Sequence, residues 1–286
     1  MNNKISYGTN VILIDEERGK RHMTKLREGV RFTTQYGFID HDDIVNVLDG
    51  GIVTASKGVR YRVLKPTYID YVMNIKRRAQ IIYPKDTAAI LMEGDVYPGL
   101  DILEAGVGQG ALSIAILRAL GGKGKLTSYE LREDFAGDAA KFIDEFYGAA
   151  ENHNIEIRNI YEGIEGSYDR VLLDLPEPWH VVPHLETGLR QGGLLVVYLP
   201  TILQVKSCVD ALQEAGTFDE INSFELIKRP WKVDGRSVRP EMWTFNHSAF
   251  IITCRKVEKM PARVKPEKVA EEVELEVDDT QDDADI

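Results

Sequence analysis

The sequence has very few cysteines. Only Cys208 and Cys254 occur among 286 residues, and neither belongs to a CxxC pair. This excludes a disulfide-stabilised secreted scaffold and a cysteine-based zinc site, and we expect two packed free thiols in a reducing compartment rather than a disulfide. His180 and His184 also lack the partners of a zinc motif, so we predict no metal site.

Long hydrophobic runs are absent too. No apolar segment approaches the length of a transmembrane helix, and the N-terminal MNNKISYGTN has no charged-then-apolar signal pattern. We therefore expect a cytoplasmic protein without a membrane partner. Hydrophobic residues at 43% and charged residues at 28% indicate a globular protein, long enough for one large and one small domain.

Charge is distributed unevenly along the chain. The formal net charge is −11, but residues 264–286 alone contain ten acidic residues and two lysines. Residues 1–85 contain 15 Lys and Arg against nine Asp and Glu. A basic N-terminal third is compatible with an anionic partner, and equally with an ordinary solvated surface.

The pattern of apolar residues divides the chain into four parts. Residues 1–64 alternate as strands do and predict a small β-rich domain, and residues 65–99 predict a helical linker that contains IIYPKD, with one helix over 66–78. Residues 100–257 alternate strands and helices, which predicts an α/β, Rossmann-like domain: a mostly parallel sheet with an antiparallel edge. Residues 258–286 predict a disordered acidic tail, because they lack aromatic residues and have few large apolar ones.

A glycine-rich loop, EAGVGQG (104–110), joins the first strand of the large domain to its first helix. Glycines allow close backbone approach, and a helix N-terminus offers free amide donors. Glu130 ends the next strand, 20 residues after Gly110, where an acid can accept hydrogen bonds from two ribose hydroxyls. Strand, glycine turn, helix, strand and acid together predict a site for a nucleoside cofactor.

The side chains around this loop favour S-adenosylmethionine over NAD. Glu104 would repel a pyrophosphate but can hold the ammonium group of a methionine tail through a water molecule. Asn159 ends the third strand, where its side-chain carbonyl can accept from an adenine amine. An NAD-dependent dehydrogenase remains the alternative from the loop alone.

The stretch LLDLPEPW (172–179) places an acid at the end of a buried strand. Ligands of open α/β sheets lie outside the carboxyl ends of the strands, so Asp174 is expected to face the same crevice as the cofactor. Pro176 and Pro178 fix the backbone that follows. A carboxylate there can accept a hydrogen bond from an amino-substituted base. The alternative is that Asp174 caps the N-terminus of a helix near His180.

Several segments, in order, resemble the tRNA (adenine-N1)-methyltransferase family, which modifies adenine 58 of the T-loop. The matching segments are RRAQIIYPKD (77–86), LEAGVGQGALSIAI (103–116), SYELREDFA (128–136), YDRVLLDLPEPW (168–179), YLPTILQV (198–205) and RPWKVDG with NHSAF (229–250). The resemblance covers residues 5 to 257. It implies a class I methyltransferase fold, S-adenosylmethionine as cofactor, tRNA as partner and a homotetramer.

The resemblance also implies roles for individual residues. Asp174 matches the catalytic aspartate and Tyr83 the active-site aromatic residue. Matches to cofactor contacts are Glu104, Gly106, Val107, Gly108, Gln109, Gly110, Ala111, Glu130, Phe135, Asn159 and Ile160, with Asp174 beside them. Asn159 stands where family members often have an aspartate. The difference keeps a hydrogen-bond acceptor and removes a negative charge. Phe135 fits the core face of its helix equally well.

We therefore expect methylation of adenine N1, with Asp174 accepting from the N6 amine and stabilising the cationic ring. The target base has to leave the folded T-loop, and Tyr83 is a candidate stacking partner. Candidate phosphate contacts are Arg77, Arg78, Lys85, Arg229, Lys232, Arg236 and Arg239. His247 is expected to be a buried, satisfied histidine. Alternatives are a methyltransferase for another RNA, a protein or a small molecule, and a non-catalytic tRNA-binding subunit.

Overall fold

The N-terminal residues form a small antiparallel β-structure with its own core. The computed structural model describes residues 4–75, 78, 80–242 and 247–260. The first elements are β1 (Asn10–Asp15), β2 (Arg21–Lys25), β3 (Arg31–Thr34), β4 (Gly37–Asp40), α1 (His41–Ile44), β5 (Ile52–Thr54) and β6 (Arg60–Leu64). Four strands form a sheet in the order β2-β1-β6-β5, and β3 pairs with β4 as a hairpin. β1 and β2 form a second hairpin with an antiparallel register, and the predicted β-rich character of this part is confirmed.

Two helices connect this part to the large sheet. They are α2 (Tyr68–Asn74) and α3 (Pro84–Glu93). The helix predicted over 66–78 is too long: Thr67 and Asp70 form a capping box that starts α2, and Ile75 leaves the helix in extended geometry to enter the core. We did not predict α3, although Pro84 occupies its first turn, where a proline is favourable.

The large domain is built on a seven-stranded sheet. Its elements are β7 (Asp101–Ala105), α4 (Ala111–Leu120), β8 (Lys125–Glu130), α5 (Glu133–Phe146), β9 (His153–Ile157), β10 (Tyr168–Leu173), α6 (Leu185–Gly188), β11 (Leu189–Leu199), α7 (Ile202–Ala215), β12 (Phe218–Glu225), β13 (Trp231–Asp234), β14 (Ser237–Pro240) and β15 (Phe250–Lys256). The sheet order is β12-β15-β11-β10-β7-β8-β9. β15 is antiparallel to both of its neighbours, and the other registers are parallel. The predicted mostly parallel sheet with an antiparallel edge is confirmed.

The strand order reverses between β7 and β10, and this places the site. The chain runs from β7 outward to β8 and β9, then returns to β10 on the other side of β7. The loops that leave β7 and β10 therefore diverge and open a crevice at the carboxyl ends of the strands. Apolar side chains cover both faces of the sheet, so the crevice has a fixed frame.

The sequence also led to predictions about the C-terminal tail, the two cysteines and membrane-spanning segments. Residues 261–286, most of the predicted tail, lie outside the described residues, as does Arg77. Cys208 and Cys254 are both buried and free, as predicted. Within the described ranges, no helix combines the length and apolar character needed to cross a membrane.

Candidate active site

A cavity of about 430 Å³ occupies the crevice between the β7 and β10 loops. Six of the predicted site residues line it: Gly106, Gly108, Glu130, Asn159, Ile160 and Asp174. Nine lining residues were not predicted: Gln80, Ala105, Tyr129, Leu131, Arg132, Arg158, Tyr161, Leu175 and Pro176. Most of the unpredicted residues lie next to a strand end or a predicted residue. Their position in the sequence could therefore have identified them as lining residues.

The glycine loop approaches the Asp174 backbone too closely for any other residue at position 106. Gly106 has φ +84°, and a Cβ built there would lie 2.0 Å from the carbonyl oxygen of Asp174. The Asp174 amide also donates to the Ala105 carbonyl over 2.9 Å. The two loops are therefore locked together at the floor of the crevice, which sets the position of Asp174 relative to the glycines.

Glu130 is fixed by backbone amides and keeps acceptor capacity. The Gly108 amide donates to one carboxylate oxygen over 3.1 Å, and the Arg132 amide donates to the other over 3.0 Å. A carboxylate has about four acceptor sites, so each oxygen can accept one more bond. Two vicinal hydroxyls are the ligand that this arrangement suits.

Glu104 lies beneath the loop with one oxygen unpaired. Its side chain is buried, and the Ser113 and Ser128 hydroxyls donate to Oε2 over 2.6 and 2.8 Å. Oε1 is buried without a hydrogen-bond partner among the described residues. Burial raises the pKa of Glu104 to about 7, against the two serine bonds and with help from Asp174 and Glu130. A buried carboxylate oxygen in this position calls for a cationic ligand group.

The charge of the crevice distinguishes between S-adenosylmethionine and NAD as the cofactor. Burial raises the pKa of Asp174 to about 7, and the negative charges of Asp174 and Glu130 add to burial in raising the pKa of Glu104. A pyrophosphate would add two negative charges to that set. A cofactor with an ammonium and a sulfonium would offset the negative charge of these carboxyl groups. The residues therefore fit S-adenosylmethionine.

The remaining predicted residues lie behind or beside the cavity. Val107, Gln109 and Ala111 are buried, Gly110 caps α4, and the Gln109 side chain accepts from the Arg78 amide over 2.8 Å. These four support the loop and do not line the cavity.

Phe135 and Tyr83 also lie outside the cavity lining. Phe135 is buried on α5, with the Arg132 guanidinium 3.4 Å from its ring centroid. Tyr83 is half-buried and occupies the position before the first turn of α3.

Asn159 has a local role that the sequence did not reveal. Its side-chain oxygen accepts from the Tyr161 amide over 3.1 Å, and its amide donates to Glu162 over 3.0 Å. The residue therefore caps the short turn Ile160–Glu162. One acceptor site on the carbonyl oxygen remains for an adenine amine.

Two expectations about polar residues were wrong. Lys85 was a candidate phosphate contact, yet its side chain is 10% exposed and pairs with buried Asp86 over 2.6 Å. His247 was expected to be buried, but it is exposed and bridges Glu225 and the Pro200 carbonyl. Both partners are acceptors, so these contacts favour the protonated ring, and the pKa of His247 is raised chiefly by its hydrogen bond with Glu225.

Comparison with known proteins agrees with this geometry. The family described as "tRNA methyltransferase complex GCD14 subunit" matches residues 60–282, and the TrmI-like N-terminal family matches residues 4–53. The tRNA (adenine(58)-N(1))-methyltransferase TrmI of Thermus thermophilus is 33% identical over 247 residues, which are 86% of this chain and 96% of that protein.

Two more proteins extend the comparison. The tRNA (adenine(57)-N(1)/adenine(58)-N(1))-methyltransferase TrmI of Methanocaldococcus jannaschii is 32% identical, covering 92% of this chain and 98% of that one. A crystal structure described as an S-adenosylmethionine-dependent O-methyltransferase from Thermotoga maritima superposes with a TM-score of 0.86 at 33% identity, over 91% of this chain and 97% of that one. The chain therefore belongs to the GCD14/TrmI family of tRNA methyltransferases.

Proposed function

We propose that this protein transfers a methyl group from S-adenosylmethionine to N1 of adenine 58 in the T-loop of tRNA. The observation that carries the proposal is the position of Asp174, a carboxylate in the same cavity as Glu130 and the glycine loop and at the end of a central strand. Relatives that match along most of the chain are named for this reaction.

The cofactor would be held by residues from three strand ends. Glu130 would accept from the ribose hydroxyls, and the unpaired oxygen of Glu104 would accept from the ammonium of the methionine tail. Asn159 and Ile160 would contact the adenine, and Gly106 and Gly108, which line the cavity, would contact the cofactor through their backbone. The bound cofactor supplies an electrophilic methyl group on a sulfonium.

Asp174 would act on the target base. Its carboxylate would accept a hydrogen bond from the N6 amine, which raises electron density at N1 and stabilises the positive charge that the ring gains. That role requires the ionised form. A cation in the same cavity favours ionisation, so cofactor binding would lower the raised pKa of Asp174 before the base arrives.

The target base would have to be extruded from the T-loop to reach this cavity. Tyr83 stands at the start of α3, on the side of the sheet that carries Asp174, and would stack on the base or order the entrance.

Contacts to tRNA phosphates would come from the hairpin of β13 and β14. Arg229, Arg236 and Arg239 are exposed there, and Lys232 is partly exposed beside Asp234. Such contacts make affinity depend on salt concentration.

We also propose the assembly and the domain division that the resemblance implies. A homotetramer would have about four times the 32.2 kDa of one chain in light scattering. The domains would be 1–64, 65–99, 100–257 and an acidic tail 258–286. A tRNA substrate and two free thiols support a cytoplasmic location.

The proposal is tested with labelled S-adenosylmethionine and unmodified tRNA transcripts. Wild-type protein should label a transcript with adenine at position 58 and leave one with guanine there unlabelled. A second pair, with adenine or guanine at position 57, determines whether that position is also a substrate. Labelling that survives removal of adenine 58 from a transcript with guanine at position 57, or transfer to a hydroxyl group, would contradict the proposal.

Cofactor affinity should depend on pH through Glu104. Because the ligand is cationic, it prefers the ionised carboxylate, and protonation below a pKa of about 7 competes with binding. We expect the Kd for S-adenosylmethionine to rise about fivefold from pH 7 to pH 6, a range below the pKa of the cofactor's own amine. Isothermal titration calorimetry measures this directly.

The matched variant for that measurement is Glu104→Gln. It should bind the cofactor more weakly at pH 7 and lose the part of the change between pH 7 and pH 6 that comes from Glu104, which leaves only the contribution of Asp174. A variant that keeps the full pH dependence would assign the titration to another group, Asp174 being the nearest candidate.

A further inference from the structure

A buried polar cluster lies at the start of α3, outside the residues assigned above. It consists of Lys85, Asp86, Ser248 and Tyr198, and we call it the α3 network. Asp86 has no exposed surface, and Lys85 donates to Asp86, to the Ser248 hydroxyl and to the Leu226 carbonyl, each over 2.6 Å. The other Asp86 oxygen accepts from Ser248 over 2.8 Å and from Tyr198 over 3.1 Å.

The bonds of the α3 network are complete. All three hydrogens of the Lys85 ammonium have an acceptor, and both Asp86 oxygens have a donor. An ion pair taken out of water gains little stability over apolar side chains of the same size. What it does provide is a fixed geometry, because each partner has one arrangement that satisfies it.

That geometry joins three segments that are distant in sequence. Asp86 belongs to α3, Tyr198 to the end of β11, and Ser248 to the residues just before β15. The Asp86 amide also donates to the Tyr83 carbonyl over 2.8 Å, so the network fixes the residue that precedes α3.

The strand register places Tyr198 beside Asp174. Leu173 of β10 pairs with Val197 of β11, so Asp174 and Tyr198 are the next residues on adjacent strands. Alternation puts both on the face that carries Leu172 and Val196. The ionised forms of Asp86 and Asp174 both raise the pKa of Tyr198, in addition to its burial, which agrees with this proximity.

We propose that Lys85, Asp86 and Ser248 are positioning residues for the target base. They hold Tyr198 in place beside Asp174 and fix the Tyr83 backbone at the start of α3, and so shape the part of the crevice that receives the base. The proposal rests on the proposed function. The network contacts β11 and the start of β15, whereas the cofactor acids lie on β7 and β8, so it should affect methyl transfer and leave cofactor binding unchanged.

The test uses two mild variants, Ser248→Ala and Tyr198→Phe, each of which removes one donor to the same Asp86 oxygen. We expect each to lower kcat with tRNA about tenfold, because small displacements of reacting groups have large effects on rate. The Kd for S-adenosylmethionine should stay within about twofold of wild type. The fold-decrease in kcat of the double variant should be smaller than the product of the two single fold-decreases, since both substitutions act through Asp86.

Lys256→Met is the control for a purely structural role. Lys256 lies at the other end of β15, is buried, and donates to the carbonyls of Leu185 and Leu189 over 3.2 and 2.7 Å. It should lower Tm without changing kcat at a temperature where the protein is folded.

The outcomes separate the two proposals. An active wild type with unchanged kcat in Ser248→Ala and Tyr198→Phe overturns the positioning role. So does a fall in kcat that merely follows the unfolded fraction, as in the control. A wild type inactive on tRNA overturns the proposed function, and the network's part in it.

Discussion

Replacing Asp174 with alanine should lower the rate of methyl transfer to tRNA about 1000-fold, the range seen when one preorganised electrostatic contact to a transition state is removed. The variant loses the acceptor for the N6 amine and the charge opposite the cationic ring. It keeps the glycine loop and Glu130, so the cofactor should still bind. Single-turnover rates with saturating cofactor measure the loss.

Asp174→Asn is the matched variant, because it keeps the shape and removes the charge. We expect it to be active at an intermediate level, since an amide oxygen still accepts from an amine. Although Asp174→Asn should be less active than wild type, it should be more stable. The pKa of Asp174 is about 7 in the fold against an ordinary 3.8, so its ionised form destabilises the cofactor-free protein. That penalty is complete at pH 8, decreases as pH falls from about 7 and is absent only below about 3.8, so Asp174→Asn should raise Tm at pH 8.

A rate within tenfold of wild type in Asp174→Ala would contradict the role assigned to this carboxylate. A loss of activity accompanied by loss of cofactor binding would assign Asp174 to the cofactor instead. Measuring the Kd for S-adenosylmethionine beside the rate distinguishes these two results.

The second large effect is expected from Gly106→Ala. The new Cβ would lie 2.0 Å from the Asp174 carbonyl oxygen and 2.9 Å from its carbon, at a φ of +84° that side chains rarely adopt. Backbone strain and overpacking together should lower the free energy of unfolding by about 3 kcal/mol or more. Because the clash moves the backbone of Asp174, activity should be lost even where the variant folds.

Gly108→Ala is the control for Gly106→Ala, from the same loop. Gly108 also has a positive φ, +54°, but no atom of the described residues lies within 4 Å of a Cβ built there. It should cost about 1 kcal/mol, the penalty of the left-handed conformation alone. Since Gly108 lines the cavity, cofactor affinity should fall. Urea denaturation and calorimetry on both variants test the difference, and equal stability losses would contradict the role of the close approach at Gly106.

Much of the fold could be predicted from the sequence, because strand and helix periodicities are local. The β-α alternation from residue 100 predicted the sheet, and parallel strands bring their carboxyl ends to one edge. That rule alone was enough to expect Gly106, Glu130, Asn159 and Asp174 in one crevice, where the structure places them.

The α3 network could not be predicted in the same way. Asp86 and Ser248 are 162 residues apart, and no local pattern links them. Lys85 resembled any surface lysine beside an acid, and only the packing of α3 against β11 and β15 buries it. Asn159 similarly gave no sign that its carbonyl oxygen caps the turn that follows.

The most direct test of the account is the identity of the nucleoside that the protein produces. Unmodified tRNA is incubated with purified protein and S-adenosylmethionine, digested, and analysed by chromatography and mass spectrometry, with Asp174→Ala in parallel. The account predicts N1-methyladenosine from position 58 with wild type and nearly none with the variant. A different methylated nucleoside, or equal yields from both proteins, would contradict it.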